Sequence, residues 1–288
     1  MIRLGCHLSS SGGFAAMAGD AGRIGANTFQ FFTRNPRGGN ARAWDAEDLE
    51  RYRELAVRQD LTAVVAHAPY TLNLCSARPE IRSFALRTMQ DDLNRLEQVP
   101  GALYNFHPGS HTGQGVETGI AQITDALNQL LDGEVHTPVL LETMTGKGSE
   151  VGGRFEELRD ILGGVNRPDQ VFVCMDTCHV YDAGYDIREH LDDVMETFDR
   201  VIGLGKLRAV HVNDTKNPMG SRKDRHEKIG EGTLGVEALV RFMACPAVRD
   251  LPMILETPNE LEGYAREIRL LRTRLEASGL SSGTMTAH

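Results

Sequence analysis

The sequence predicts an α/β chain folded as a single-domain (β/α)8 barrel. Short apolar, β-branched runs alternate with amphipathic helical stretches at a spacing of roughly 30 to 40 residues, as repeated βα units require. Eight such runs occur, and their near-continuous hydrophobicity is that of strands buried on both faces. A histidine or an acid closes six consecutive runs, and barrels carry their functional groups at the C-terminal ends of strands. A doubly wound open sheet has no need of such a residue on every strand.

In chain order, residues 2–7 form the first strand and lead to a helix of small residues over 13–24. Strand 28–32 delivers Thr33-Arg34-Asn35-Pro36-Arg37-Gly38-Gly39, and helix 45–59 follows. Strand 63–66 brings out His67-Ala68-Pro69-Tyr70 ahead of a strongly amphipathic helix over 82–99. Strand 103–106 brings out His107-Pro108-Gly109-Ser110-His111, with helix 117–131 next. Strand 138–141 ends at Glu142, and helix 155–162 leads to strand 171–175. That strand delivers Asp176-Thr177-Cys178-His179, a polar loop, and helix 191–203. Strand 207–210 then brings out His211-Val212-Asn213-Asp214 and a Gly- and Pro-containing loop with Asp224-Arg225-His226. Helix 236–244, strand 253–255 ending at Glu256, and helix 261–276 complete the barrel domain, residues 1–280. The polar tail 281–288 is expected to be disordered.

Composition is that of an ordinary water-exposed globular chain, 41% hydrophobic and 25% charged. The N-terminus enters a strand at once with no leader-like pattern, and no apolar stretch is long enough to span a bilayer, so a cytoplasmic location and no membrane partner are expected. Five cysteines at irregular spacing fit a reducing compartment, and Cys174 and Cys178 read as free buried thiols. The net charge of -9 argues against broad nonspecific nucleic-acid binding. Three bound divalent ions would bring it to about -3, however, so a local basic face is compatible with it.

The strand ends carry the chemistry. On a closed barrel His67, His107, Glu142, Asp176, His211 and Glu256 converge on one rim, joined by His179, Asp224 and His226 from the next loops. Any one of them alone would read as a capped loop or a surface ion pair. Nine together read as a ring of nitrogen and oxygen ligands suited to Zn, Mn or Fe, and they exceed what one ion can use. His7 and His111 also fall on the rim, where orienting ligands or hydrogen-bonding a substrate oxygen is the expected role.

At these blocks the sequence resembles the endonuclease IV family of apurinic/apyrimidinic endonucleases. The resemblance runs to about Pro258 through Gly25-Ala-Asn-Thr-Phe-Gln30, His67-Ala-Pro-Tyr70, His107-Pro-Gly-Ser-His111, Asp176-Thr-Cys-His179, Ala183-Gly-Tyr-Asp186 and Asp224-Arg-His226. It implies a TIM barrel with three zinc ions, Mn2+ being a possible substitute. One zinc would lie on His67, His107 and Glu142; a second on Glu142, Asp176, His211 and Glu256; a third on His179, Asp224 and His226. Glu142, Asp176 and Glu256 are the implied catalytic carboxylates. Zinc ions so placed would lower the pKa of bound water to roughly 7, so a hydroxide between two of them would be available at neutral pH as the natural in-line nucleophile. The implied activity is base excision repair: cleavage 5′ to an abasic site in duplex DNA by a monomer, leaving a 3′-hydroxyl and a 5′-deoxyribose phosphate, with trimming of 3′-blocked ends.

For DNA contact, the resemblance places Arg37 and Tyr70 in the duplex beside the lesion. Arg34, Arg37 and Arg42 form one basic cluster, and Lys216, Arg222, Lys223, Arg225 and Lys228 another, with Lys216 and Arg225 the contacts expected nearest the metal loop. Gly38-Gly39 departs from the bulkier residues expected after Arg37. The competing reading is a metal-dependent sugar isomerase or epimerase of the same barrel superfamily. It accounts for one or two ions but leaves His179, Asp224 and His226 without a purpose.

Overall fold

The computed structural model describes residues 2–35, 41, 43–61 and 63–279. Strands β1 (Leu4–His7), β2 (Phe29–Phe32), β3 (Val65–His67), β4 (Leu103–Phe106), β5 (Val139–Glu142), β6 (Val171–Asp176) and β7 (Leu207–His211) pair in sequence, all parallel. A short antiparallel hairpin, β8 (Asp214–Thr215) with β9 (His226–Glu227), projects from the end of β7. Strand β10 (Met253–Leu255) closes the barrel between β7 and β1.

Nine helices are described: α1 (Phe14–Ile24), α2 (Ala46–Arg58), α3 (Pro79–Leu96), α4 (Val116–Leu130), α5 (Phe155–Gly164), α6 (Thr177–Ala183), α7 (Leu191–Val201), α8 (Gly235–Ala244) and α9 (Leu261–Ala277). Local chemistry sets their ends. Asp45 caps α2 by accepting from the Glu47 and Asp48 amides, and Gly25, at φ +76°, closes α1 in the left-handed conformation that lacks a Cβ clash. Helix α3 begins three residues earlier than its hydrophobic periodicity indicates, because Pro79 is well suited to the first helical turn, where its missing N–H has no partner to lose.

Side-chain alternation along each strand separates two cores. Ala66, Leu141, Met175, Val210 and Leu255 face outward into the large cluster shared with the helices. Their neighbours Val65, Leu140, Cys174, Ala209 and Ile254 form a separate interior cluster, as a period of two dictates. One more step of two places His67, Glu142, Asp176, His211 and Glu256 on the inward face at the top of that plug.

The structure shifts several expected boundaries. Strands β3, β5, β6 and β7 each run one residue further, so His67, Glu142, Asp176 and His211 are ladder residues, with His67 opposite Asn105 and Asp176 opposite His211. The segment after Asp176, expected as a loop, is helix α6: Asp176 caps it by accepting from the His179 amide at 3.0 Å, and Gly184 at φ +110° ends it. The tail 281–288, with Gly38 and Gly39, lies outside the described residues.

Candidate metal centre

The residues expected as ligands come together as three overlapping sets around one cavity of about 560 Å³ at the open end of the barrel. Among the described residues, His67, His107 and Glu142 offer ligand atoms all within 4.8 Å of one another, and so do Glu142, Asp176, His211 and Glu256. Glu142 belongs to both. Its Oε2 lies 3.2 Å from His67 Nε2 and 3.4 Å from His107 Nε2, while its Oε1 lies 3.2 Å from His211 Nδ1. Asp224 Oδ1 lies 3.3 Å from His179 Nε2 and 3.5 Å from His226 Nε2, which joins the third set. Asp176 reaches this set too, grouping with His179 and His226. Cys178, expected only as a buried thiol, comes within the same reach of Asp224 and His226.

Four of the imidazoles are anchored by one nitrogen and turned inward by the other. Nδ1 of His67 donates to Ala68 O at 2.6 Å, that of His179 to Thr143 O at 2.8 Å, and that of His226 to Glu256 O at 3.2 Å, each leaving Nε2 inward. His211 is reversed, with Nε2 against Gln30 Oε1 at 2.8 Å and Nδ1 inward. Metal-ligating histidines are held this way, since the outer bond fixes the tautomer and the ring plane. His179 Nε2 and His226 Nε2 are buried without a well-aligned hydrogen bond, Asp224 Oδ1 at 3.3 and 3.5 Å facing both, a costly state that a coordinated cation relieves. The donor set of nitrogens and carboxylates, with these two orphaned atoms, fits divalent ions.

A family model for xylose isomerase-like TIM barrels matches residues 19–274. The chain is 55% identical to the "Probable endonuclease 4" of Clostridium beijerinckii, over 95% of this chain and 99% of that one. It belongs to the endonuclease IV family. The crystal structure of endonuclease IV from Thermus thermophilus superposes with a TM-score of 0.85 at 34% identity, covering 96% of this chain and 99% of that one. A D-tagatose 3-epimerase-like protein shares the fold at a TM-score of 0.74 and 16% identity, covering 96% and 98%, which speaks to the barrel alone.

In this member of the endonuclease IV family the cluster's charges stabilise one another. Burial by itself would raise Glu142, Asp176 and Glu256, yet the surrounding imidazoles outweigh it and hold all three below the usual carboxylate range, Glu142 and Glu256 well below. Asp224 is lowered likewise, burial being overcome by His179 and His226. Burial alone would lower the histidines, but Asp176, Asp224 and Glu142 raise His179 well above its ordinary value, Cys174, Glu256 and Glu142 do the same for His211, and Glu142 raises His107.

Other expected site residues lie as follows. His7 lines the cavity, its Nδ1 3.1 Å from Gln30 Nε2 and 3.8 Å from Glu256 Oε1, and burial lowers its pKa. The structure gives His111 a different partner: its Nδ1 accepts from the Gly115 amide ahead of α4. Tyr70 stands on the cavity rim, 50% exposed, its ring 6.1 Å from that of Phe32. Lys216 and Arg225 are exposed beside the β8–β9 hairpin, Lys216 3.7 Å from Glu227. Arg37 and Arg42 lie outside the described residues. Arg34 does not join a solvent-facing basic cluster. Its side chain is 6% exposed, and its guanidinium bonds Asp92 and Asp91, because the buried Asp92 carboxylate needs a cation.

Sequence reasoning missed three polar residues. Asn105 Nδ2 donates to Glu142 Oε2 at 2.6 Å, Asn213 Nδ2 to Asp176 Oδ2 at 2.8 Å, and Gln30 Nε2 to Glu256 Oε1 at 2.6 Å. The available signal was an amide in an otherwise apolar strand, as in Phe29-Gln30-Phe31. Two further groups brace the loop that carries Asp224. Asp182 accepts from Thr215 Oγ1, Asn217 Nδ2 and the Arg222 amide, and Asp214 gathers five backbone N–H groups from residues 215–235. A larger cavity of about 820 Å³ lies beside β2, α1 and α2 and contains none of these ligands.

Proposed function

We propose that this chain is a metal-dependent DNA-repair endonuclease that cuts duplex DNA on the 5′ side of abasic sites, and that the same site trims blocked 3′ ends. The observation that carries the reading is the convergence of three ligand sets on one open cavity in a member of the endonuclease IV family.

His67, His107 and Glu142 would hold one zinc; Glu142, Asp176, His211 and Glu256 a second; His179, Asp224 and His226 a third, with Mn2+ able to substitute. Divalent ions in these places supply Lewis acidity towards a phosphodiester and acidify water to a pKa of about 7. Glu142 suits the shared position because its two oxygens already face different histidines. Asp176 and Glu256 would complete the second set, and Asn213 links them, donating to Asp176 and accepting from the Glu256 amide. In the reaction a water oxygen bonds to phosphorus as the P–O3′ bond breaks in line with it. The 3′ oxygen leaves as a hydroxyl, and the phosphate stays on the abasic sugar.

Recognition is assigned to the rim. Tyr70 presents an exposed ring for stacking where the duplex opens, the family resemblance gives Arg37 the same task, and Lys216 and Arg225 contact phosphates. Extruding a nucleotide costs least where its base is missing, so an enzyme that requires extrusion selects lesions. The chain works as a monomer in this reading. Among the described residues no helix is long and apolar enough to cross a membrane. The sugar-epimerase alternative leaves the His179, Asp224 and His226 set unused, and likeness to an epimerase-like protein at 16% identity carries the barrel only.

The test is incubation with a duplex bearing one stable abasic analogue, with and without chelator. A single nick 5′ to the analogue, abolished by chelator and restored by divalent ions, is expected. Inertness towards that duplex together with epimerisation of a ketose would overturn the proposal.

A further inference from the structure

Gln30 lies at the centre of β2, completely buried, in the barrel interior directly beneath the ligand set of Glu142, Asp176, His211 and Glu256. Its carboxamide touches two of those four. Oε1 is 2.8 Å from His211 Nε2, Nε2 is 2.6 Å from Glu256 Oε1, and the same Nε2 is 3.1 Å from His7 Nδ1.

These three contacts are mutually dependent. Glu256 is a carboxylate and can only accept, so Gln30 must turn its NH2 group towards it. That choice turns the carbonyl towards His211, which must then carry its hydrogen on Nε2. Nδ1 of His211 is left facing the cluster, 3.2 Å from Glu142 and 3.1 Å from Glu256, as the nitrogen that a cation shared with them would take. The opposite arrangement fails at both ends. A reversed amide would set its oxygen against the Glu256 carboxylate, and its NH2 would demand the other tautomer of His211, with a hydrogen on the nitrogen that must bind metal.

We infer that Gln30 is a positioning residue that selects the metal-binding tautomer of His211 and aligns Glu256, so that this ligand set takes up its ion ready-formed. This deepens the proposed function, since it rests on that set holding a divalent ion. Outer partners of metal ligands of this kind are commonly worth about 10–100-fold in affinity.

The test uses the full chain stripped of metal and titrated with Co2+ alone, followed by its visible absorption and by competition with a chromophoric chelator. Gln30→Met, close in volume and lacking both the donor and the acceptor, is expected to weaken one Co2+ equivalent by about 10–100-fold and to change the d–d band of that equivalent. The other equivalents and the melting temperature of the metal-free protein should stay close to wild type. Gln30→Glu, held protonated on the oxygen that meets the Glu256 carboxylate, keeps a donor towards Glu256 and an acceptor facing His211 and is expected to recover part of the His211-dependent band. A Gln30→Met titration and spectrum matching wild type would overturn the inference, as would equal weakening of all equivalents or a Gln30→Glu spectrum no nearer wild type than that of Gln30→Met. Failure of the wild-type protein to take up Co2+ would instead refute the metal-centre reading itself.

Discussion

Glu142→Gln isolates the carboxylate on which the centre turns. The side chain is fully buried and faces His67, His107 and His211 at 3.2 to 3.4 Å, with Asn105 donating to it at 2.6 Å. Glutamine preserves the volume and an acceptor for Asn105 but removes the charge shared by two ligand sets. A four-ligand zinc site is worth about 10–16 kcal/mol, or about 2.5–4 kcal/mol per ligand, and 1.4 kcal/mol is tenfold, so losing one ligand costs about 10²–10³ in affinity. Because the amide oxygen remains a weak ligand, the lower end, about 100-fold at each of the two sites, is expected. Chelator competition measures the affinity, single-turnover kinetics the cleavage, and a titration the binding of abasic duplex. Cleavage should be abolished while duplex binding persists, since Tyr70, Lys216 and Arg225 stand on the rim outside the ligand sets. Near-native cleavage with a full complement of metal would refute the shared-carboxylate mechanism.

Purified protein should hold about three divalent ions per chain by elemental analysis, and Asp224→Ala should hold one fewer; an unchanged content would remove the third site. Tyr70→Ala combined with Arg37→Ala should weaken binding to abasic duplex far more than to intact duplex in a competition titration, whereas Lys216→Ala should weaken both alike and flatten the salt dependence. Metal uptake should release protons: in the metal-free protein His107, His179 and His211 hold protons above the ordinary histidine pKa of about 6.5, so apparent affinity should fall as pH drops, starting above that value. Calorimetry in buffers of differing ionisation enthalpy would show this, and a pH-independent affinity down to pH 5.5 would contradict it. Asp92→Ala should cost about 3 kcal/mol in urea unfolding, because it leaves the buried Arg34 guanidinium with Asp91 as its remaining carboxylate and removes the acceptor of Thr33 Oγ1 and the Tyr104 hydroxyl.

The local sequence determined which chemical groups stand at the top of the barrel. Strand hydrophobicity and the period of two along Val65-Ala66-His67, Leu140-Leu141-Glu142 and Ala209-Val210-His211 are short-range properties, and they aim each ligand inward once a strand is assumed. The helix after Asp176 escaped that reading, because its cap and its ligand are the same residue and its seven residues are too polar to announce a helix. Everything that depends on pairs distant in sequence was decided by closure of the barrel. Arg34 looked free for DNA until α3 brought Asp91 and Asp92 against it. Gln30 meets Glu256 across 226 residues, and Asn105 and Asn213 find their carboxylates across 37 residues each. Which imidazole nitrogen faces the cluster is set by such contacts, because a hydrogen bond depends on position and direction to a few tenths of an ångström, and only the packed tertiary structure supplies both.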